Sequence, residues 1–127
     1  MATVAKPKSS VGSLKLKPMA SKKDRQNFRI DFGISRTVLV RLTGLSERTL
    51  ATWENGGAVG EPARRALLGI ERLLKELGKV IRKRAIPEWL DTPNPGFGNL
   101  KPIEVIERGK SDQIWRMIYF LGSGTAS

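Results

Sequence analysis

The chain has 127 residues and a formal net charge of +11, with neither cysteine nor histidine. Its length suits one domain or two very small ones, and the missing side chains exclude disulfides, thiolate metal sites and Ser-His or Cys-His catalysis. No apolar run approaches the roughly 20 residues that cross a bilayer, so we expect a soluble protein that does not enter a membrane. Because cysteine and histidine are absent, we also expect a cytoplasmic protein that is not an enzyme and needs no metal or cofactor.

Residues 1–23 form a basic segment rich in lysine and serine. Eight basic residues and one acidic residue lie within residues 1–30, and such a surplus suits a polyanion, of which nucleic acid is the usual one. The segment lacks the apolar core of a secretory signal, and its prolines interrupt any long amphipathic helix. We interpret it as a disordered basic arm, which either tracks DNA phosphates or is only a solvated tail.

Three short helices are predicted next in the chain. The first runs from Asp24 to Phe32 and would brace the other two through Phe28 and Phe32 on its apolar face. In the sequence ISRTVLVRLTGLSERTLATWENGG, Gly44 separates two segments of apolar periodicity, and Ser46 stands where it can cap the second. Four apolar residues occupy positions that a helix-turn-helix buries: Leu39, Leu45, Leu50 and Trp53.

The outward side chains of the second helix of this pair are suited to duplex DNA. Arg48 can bridge two acceptors on a guanine edge or a phosphate, while Thr49 and Thr52 can donate to phosphate or touch a thymine methyl. The helix N-terminus adds free backbone N–H groups and partial positive charge. We predict that this helix binds double-stranded DNA; an ordinary helical hairpin is the competing interpretation. The predicted DNA-binding residues are Arg36, Ser46, Glu47, Arg48, Thr49 and Thr52.

A longer amphipathic helix is predicted from Gly60 to about Lys83. Apolar residues recur along it at spacings of three and four, and Pro62 is tolerated in its first turn. Its other face is basic and is either solvated or lies along phosphates. Gly69 and Gly78 are unfavourable inside a helix, so we expect them to mark close contacts. The apolar stripe either packs on the helical hairpin or forms a homodimer seam, which would match paired DNA half-sites.

The remaining residues predict a small helical unit. The segment EWLDTPNPGFGNL contains prolines and glycines that exclude a continuous helix or central strand, so we expect an ordered loop pinned by Trp89, Leu90 and Phe97. Two helices follow, at 103–108 and 112–121. The second is apolar nearly all round, so it either forms the centre of a compact subdomain or also meets a partner.

Two stretches of this sequence resemble the Xre/MbcA/ParS antitoxin family. GLSERTLATWENG is similar to the family's Xre-type helix-turn-helix, and WLDTPNPGFGNLKPIEVIERGKSDQIWRMIYFLGSG is similar to its toxin-binding domain. The likeness covers residues 30–122 of the sequence. The residues that stand at the spacing of the C-terminal pattern are Trp89, Leu90, Thr92, Pro93, Asn94, Phe97, Gly98, Pro102, Gly109 and Gly122.

This resemblance implies a type II antitoxin that performs no chemistry of its own. Such a protein binds a RES-domain toxin, which degrades NAD, through its C-terminal domain and blocks the toxin's active site sterically. Its N-terminal domain represses its own operon. The partner-binding residues implied for this chain are Trp89, Leu90, Thr92, Pro93, Asn94, Phe97, Trp115, Tyr119, Phe120, Gly122 and Ser123.

We therefore predict an all-α protein with a basic arm at 1–23, a helix-turn-helix bundle with the long helix at 24–84, and a small helical toxin-binding domain at 85–127. The alternative is a stand-alone DNA-binding regulator or adaptor whose C-terminal domain mediates dimerisation or docks on another protein. The apolar Phe120 and the small polar residues 123–127 motivate that view. An enzyme has little support, because four carboxylates show only helix-surface spacing: Asp91, Glu104, Glu107 and Asp112.

Overall fold

The computed structural model describes residues 21–123, and over this range the chain is all-α. Residues 1–20 of the predicted basic arm lie outside the described residues. The helices are α1 (Lys22–Phe32), α2 (Arg36–Thr43), α3 (Glu47–Glu54), α4 (Glu61–Leu77), α5 (Ile86–Leu90), α6 (Pro102–Glu107) and α7 (Ser111–Gly122), with 3₁₀ turns at Lys83–Ala85 and Pro95–Phe97. None of the described helices combines the length and apolarity needed to span a bilayer.

Local sequence signals set the ends of the first three helices. A serine hydroxyl at each N-terminus accepts a hydrogen bond from the backbone N–H three residues on: Ser21, Ser35 and Ser46. Gly33 and Gly44 end α1 and α2 with φ values of 67° and 73°, in the left-handed region that glycine adopts without strain. Because Ser21 supplies the cap, α1 begins at Lys22, slightly before the predicted start.

The long helix α4 ends earlier than predicted. It begins at Glu61 with a proline in its first turn, but it stops at Leu77 rather than near Lys83. Gly78 follows, and the next two N–H groups bond to carbonyl oxygens three residues back instead of four. The chain therefore tightens into a turn where a glycine has already weakened the helix. The close contact expected at Gly69 is not formed within the described chain, since open space lies where its Cβ would be.

One hydrophobic core runs across the predicted boundary between residues 84 and 85. Helix α1 packs on α3, α2 packs on both α4 and α6, and α7 packs on α4 and α6. The apolar stripe of α4 faces this core, which favours packing within the chain over a dimer seam along that stripe. Buried residues from both sides of the boundary belong to one cluster, among them Phe28, Leu39, Leu50, Trp53, Leu74, Leu90, Val105 and Ile114.

The loop between α5 and α6 is ordered and pinned by aromatic packing. Trp89 and Leu90 lie in α5, a short helix that was not predicted and that tolerates its proline because the proline falls in the first turn. The rings of Trp89 and Phe97 meet edge to face with centroids 6.3 Å apart. Asn94 and Leu100 pair across the loop in a single antiparallel bridge. Trp89 and Phe97 therefore pin this segment as predicted, and Leu90 is buried in the core.

Candidate functional site

The turn between α2 and α3 sets the direction of α3. Gly44 ends α2 in the left-handed conformation, and α3 begins at Glu47. The Thr43 hydroxyl donates to the carbonyl oxygen of Leu39 at 2.7 Å and accepts a hydrogen bond of 3.2 Å from the N–H of the half-buried Leu45. The Thr43 side chain thereby links the last turn of α2 to the N–H of Leu45 in the turn. The chain changes direction at Gly44, as the sequence predicts.

The buried face of α3 holds this helix against α1. Leu50 and Trp53 are buried, as predicted. The Trp53 ring meets the Phe28 ring edge-on at 6.5 Å, and the Arg25 guanidinium lies 5.6 Å from the centroid of the Trp53 ring. Arg25 Nη1 also donates to the carbonyl oxygens of Trp53 and Gly57 at 3.0 and 2.9 Å. A cation at this C-terminal end of α3 is favoured by the helix dipole.

The opposite face of α3 and its C-cap carry a line of exposed polar side chains, which we call the outer stripe: Arg48 and Thr52 in α3, and Asn55 directly after its last residue. Their spacings of four and three residues place them on one side of the helix, along about 10 Å of its length. Within residues 21–123, no hydrogen bond or ion pair engages the Arg48 guanidinium. Asn55 was not predicted, although its position three residues after Thr52 indicates it.

Ser46, Glu47 and Thr49 lie at the N-terminal end of α3. The Ser46 hydroxyl accepts from the N–H of Thr49 at 3.0 Å and donates to Thr49 Oγ1 at 2.9 Å. Both hydroxyls are therefore engaged in the helix cap, and Thr49 is half-buried, whereas Ser46 and Glu47 are exposed. The Glu47 carboxylate can only accept, as from a cytosine amino group. Of the predicted residues, Arg48 and Thr52 are the most available to a ligand.

Arg36 belongs to a buried ion-pair network and does not lie on the outer stripe. The Glu54 side chain is 5% exposed and accepts from Arg29 Nε at 2.9 Å and from Arg36 Nη2 at 2.8 Å. Burial alone would raise the pKa of Glu54, but the hydrogen bonds and charges of the two arginines outweigh it, so this pKa lies below its ordinary value. Arg36 thus ties α2 to α3.

Three residues that attach α3 to α1 were not predicted from the sequence: Arg25, Arg29 and Glu54. Glu54 follows the buried Leu50 by four residues and therefore falls on the apolar face of α3. A carboxylate at such a position needs a cationic partner, because an unpaired buried charge is strongly unfavourable. That position is the signal that could have predicted the network.

Gly57 approaches Thr52 so closely that only glycine fits without a shift. Its N–H donates to the carbonyl oxygen of Thr52 at 2.8 Å. A Cβ at Gly57 would lie 2.7 Å from Thr52 Cγ2, a branched methyl group that cannot swing away freely. The turn after α3 therefore fixes the position of Thr52 in the outer stripe.

The predicted partner-binding residues near the loop fall into an inner and an outer group. The inner residues pack the loop and the adjoining helix: Leu90 is buried, and Trp89, Asn94, Phe97 and Trp115 are half-buried. The outer residues are Thr92 and Pro93, both exposed. The Thr92 hydroxyl donates to the carbonyl oxygen of Glu88 at 2.6 Å. The inner group therefore shapes the surface, while the outer group is accessible to a partner.

Helix α7 buries one face and exposes an apolar end. Ile114 and Ile118 are buried in the core. Three successive residues at the end of α7 form what we call the apolar tip: Tyr119, Phe120 and Leu121, with 78%, 56% and 47% exposure. Gly122 and Ser123 follow and are also exposed, and the Ser123 hydroxyl donates to the carbonyl oxygen of Phe120 at 3.0 Å. Residues 124–127 lie outside the described residues.

A groove of about 330 Å³ separates the ordered loop from α7. Arg116 lines it and is followed at spacings of three and four by Tyr119 and Phe120. The groove and the apolar tip therefore share one side of α7. The residues that line the groove are Asn94, Gly96, Phe97, Gln113, Arg116 and Met117.

The four carboxylates that the sequence offered as an alternative site are engaged separately. Asp91 pairs with Lys101 Nζ at 3.0 Å, and Glu104 accepts from the N–H of Lys101 at 2.8 Å. Glu107 accepts two hydrogen bonds from Arg41, which lower the pKa of its carboxyl, and Asp112 pairs with Arg116. No group of three or more His, Cys, Asp or Glu side chains able to hold a metal is found in residues 21–123.

No protein-family model, curated protein or solved structure matches this chain. The function of this chain is therefore inferred from its own surfaces. Two of them differ in kind: the polar outer stripe on α3 and the apolar tip of α7.

Proposed function

We propose that this chain is a DNA-binding antitoxin of the cytoplasm. In this proposal, α3 enters the major groove of duplex DNA, and the C-terminal surface binds and occludes a RES-type protein toxin that degrades NAD. The chain performs no chemistry in either role. The observation that carries the DNA-binding part is the outer stripe, because it presents a guanidinium that is unpaired within residues 21–123, a hydroxyl and an amide along one exposed face.

The side chains of the outer stripe match what the major groove offers. A guanidinium such as that of Arg48 can bind two acceptors of guanine, and an amide such as that of Asn55 can bind adenine through one donor and one acceptor. The hydroxyl of Thr52 suits a phosphate or a base edge. A helix of ordinary diameter fits a groove about 12 Å wide. The turn at Gly44 and the brace through Trp53 hold α3 so that this face stays outward.

Net charge supports the same partner. The chain carries 23 basic and 12 acidic residues, and a surplus of this size attracts a polyanion. A homodimer would bring two copies of α3 to paired half-sites, about one helical turn of DNA apart. Since the apolar stripe of α4 is buried within the chain, the dimer contact would have to use another surface.

The toxin-binding part of the proposal is supported by the apolar tip and the neighbouring groove. Three successive apolar side chains exposed at the end of a helix lose favourable burial unless a partner covers them. The resemblance to Xre/MbcA/ParS antitoxins implies that this partner is a RES-type toxin. A toxin bound at this surface would then have its active-site entrance blocked sterically.

A growth assay tests the toxin-binding part. We predict that a RES-type protein is encoded beside this gene, that it arrests growth when expressed alone, and that co-expression of the full chain restores growth. We expect a variant with Tyr119→Glu and Phe120→Glu to lose rescue, because charge on the apolar tip opposes burial against a partner. Arg48→Ala serves as the matched control and should rescue fully.

Two results would overturn the toxin-binding assignment. One is a failure of the wild-type chain to rescue growth or to co-purify with the neighbouring protein. The other is full rescue by the doubly charged variant. Either result, combined with retained DNA binding, would favour a stand-alone regulator or adaptor that uses the apolar tip to dock on a different protein or to dimerise.

A further inference from the structure

Outside the apolar tip, Ile30 is the most exposed large apolar side chain of residues 21–123, at 68%. It follows Phe28 in α1 by two residues, and two residues turn about 200° around a helix. Because the Phe28 ring packs on Trp53 of α3, Ile30 lies on the side of α1 away from α3. A single exposed apolar side chain is ordinary on a protein surface, so the groups around Ile30 decide whether it marks an interface.

Two grooves meet at Ile30. One, of about 440 Å³, lies between α1 and α4, and the other, of about 720 Å³, lies between the end of α1 and the segment 82–87. Ile30, Asp31 and Phe32 line both grooves. The exposed Ile30 side chain therefore stands where the two grooves adjoin.

The first groove, which we call the acidic groove, is lined by three carboxylates and one ammonium group: Asp24, Asp31, Glu71 and Lys75. Glu71 is buried and pairs with Lys75 at 3.0 Å. Within residues 21–123, no hydrogen bond or ion pair engages the exposed carboxylate of Asp24. This groove thus carries an excess of negative charge, with one carboxylate open to a cationic partner.

The second groove, which we call the basic groove, is lined by three cations and by the carboxylate that both grooves share: Arg82, Lys83, Arg84 and Asp31. Lys83 Nζ pairs with Asp31 at 2.9 Å. The guanidinium groups of Arg82 and Arg84 are exposed, and none of the described residues forms a hydrogen bond or ion pair with them. Ile30 therefore has an open carboxylate on one side and two open guanidinium groups on the other.

This arrangement of charge is self-complementary. In a homodimer with a twofold axis, the same patch of both chains meets, so a suitable patch carries both halves of each contact. With the axis at Ile30, the acidic groove of one protomer faces the basic groove of its partner, and the reverse contact forms at the same time. Guanidinium groups bind carboxylates through two parallel hydrogen bonds, which fix the geometry of the contact as well as strengthening it.

We propose that Ile30 and the two grooves beside it form the contact surface of a twofold homodimer. The Ile30 side chains of the two protomers pack together at the axis, and Asp24 of each protomer pairs with Arg82 and Arg84 of its partner. This surface is separate from the apolar stripe of α4 and lies away from α3, so a dimer of this kind leaves the outer stripe free. The inference depends on neither DNA binding nor toxin binding.

Sedimentation equilibrium of the full chain at several concentrations tests the contact at the axis. We expect a wild-type dimer that Ile30→Asp weakens at least about a hundredfold, because the substitution puts two carboxylates together and removes two apolar side chains from the contact. Circular dichroism verifies that this exposed substitution leaves the fold intact. Leu121→Asp is the matched control, since it places the same charge on an exposed residue of the apolar tip and should leave the dimer unchanged.

A charge exchange tests the two grooves. Asp24→Arg should weaken association at least about tenfold, and so should Arg82→Asp with Arg84→Asp, because each change puts like charges opposite each other in both contacts. An equal mixture of the two variant chains should associate about as tightly as wild type. One contact of the mixed dimer then has its charges reversed, the other keeps the native charges, and both are complementary.

The outcomes decide the inference without reference to the proposed function. It is overturned if the wild-type chain stays monomeric at every concentration, or if the two charge variants do not associate when mixed. A wild-type dimer that withstands Ile30→Asp but dissociates with Leu121→Asp would assign the contact to the apolar tip and also overturn it. DNA binding and growth rescue are measured on other side chains and keep their own tests in each case.

Discussion

Helices α3 and α7 both bury one face, but their exposed faces differ in chemistry. The outer stripe of α3 is polar, whereas the apolar tip of α7 presents aromatic and aliphatic side chains. A polar stripe is stable in water without a partner. Adjacent apolar side chains on a small protein mark a surface that is covered in function. This difference is what supports the proposal of a nucleic-acid ligand for α3 and a protein ligand for α7.

The two helices also differ in how they are attached. Helix α3 is held by a buried tryptophan, a buried carboxylate and three arginines from α1 and α2. The attachment of α7 rests on apolar packing through Ile114 and Ile118. A surface that must meet a regular groove needs a fixed direction, and hydrogen-bonded ion pairs supply direction that apolar packing does not.

The largest expected effect is a difference in stability between alanine variants of Trp53 in α3 and Tyr119 in α7. Trp53→Ala should lower the free energy of unfolding by about 3 to 5 kcal/mol, because it removes a buried ring that packs on Phe28 and Arg25. Tyr119→Ala should change it by less than about 0.5 kcal/mol, because the side chain is exposed. Urea denaturation followed by circular dichroism measures both. Similar losses of unfolding free energy for the two variants would show that the Tyr119 side chain is packed like that of Trp53.

The next effect concerns the buried carboxylate. Glu54→Gln should destabilise the chain by about 2 to 4 kcal/mol near neutral pH, because it leaves Arg29 and Arg36 without their anionic partner. The range is set below that of a fully buried pair because both arginines are partly exposed. Glu107→Gln is the control, since its ion pair with Arg41 is more exposed and contributes about 0 to 1 kcal/mol.

The pH dependence of stability sharpens this prediction. The pKa of Glu54 is lower in the folded chain than its ordinary value of 4.5. Its stabilising contribution is therefore complete above that ordinary value and is lost as the pH falls through the lower, folded pKa. Denaturation curves of wild type and Glu54→Gln should converge across this acidic window. Parallel curves down to the acid end would contradict the assigned ion pair.

Arg48→Ala tests the outer stripe without disturbing the fold. Because the guanidinium is exposed and unpaired within the described chain, the free energy of unfolding should stay within about 0.5 kcal/mol of wild type. Binding to a selected DNA site should weaken by about 1 to 3 kcal/mol, with relaxed preference at one base pair. Fluorescence anisotropy on the site and its single-base variants measures this. A uniform loss across all variants would assign Arg48 to a phosphate.

The smallest expected effect is at Gly69, on the exposed side of α4, the helix on which α2 and α7 pack. Gly69→Ala should stabilise the chain by about 1 kcal/mol, because its Cβ meets open space and alanine favours the helix. Thermal and chemical denaturation measure the gain. If a second copy packs closely on Gly69, the same substitution should instead weaken self-association in sedimentation experiments. That outcome would show that this glycine has the packing role the sequence suggested.

The predictable parts of this molecule are those whose signals are local. The cap at Ser46, the glycine at 44 and apolar spacing predict the first three helices, and the same spacing places Arg48 and Thr52 outward. The end of α4 is less predictable, because its apolar periodicity continues past the point where Gly78 turns the chain. Helix α5 was not predicted, because the prolines of this region argue against a helix. Its own proline lies in the first turn, where proline is tolerated.

Tertiary contacts explain the remaining differences in the site. Arg36 was predicted to contact DNA, but its partner Glu54 lies 18 residues away and becomes apparent only once α2 and α3 are packed. The approach of Lys22 to Gly56 depends in the same way on how α1 crosses α3. For both basic residues, the residue type indicated a charged ligand. Only the packed chain shows which of them already pairs with a carboxylate of the chain.

The most direct test of the central claim is a backbone NMR titration of the full chain with duplex DNA. The account predicts that the largest shifts map to α3, centred on Arg48, Thr52 and Asn55, and that Tyr119 to Leu121 do not shift. Shifts centred on the apolar tip, or an unperturbed α3 in the presence of bound DNA, would contradict it.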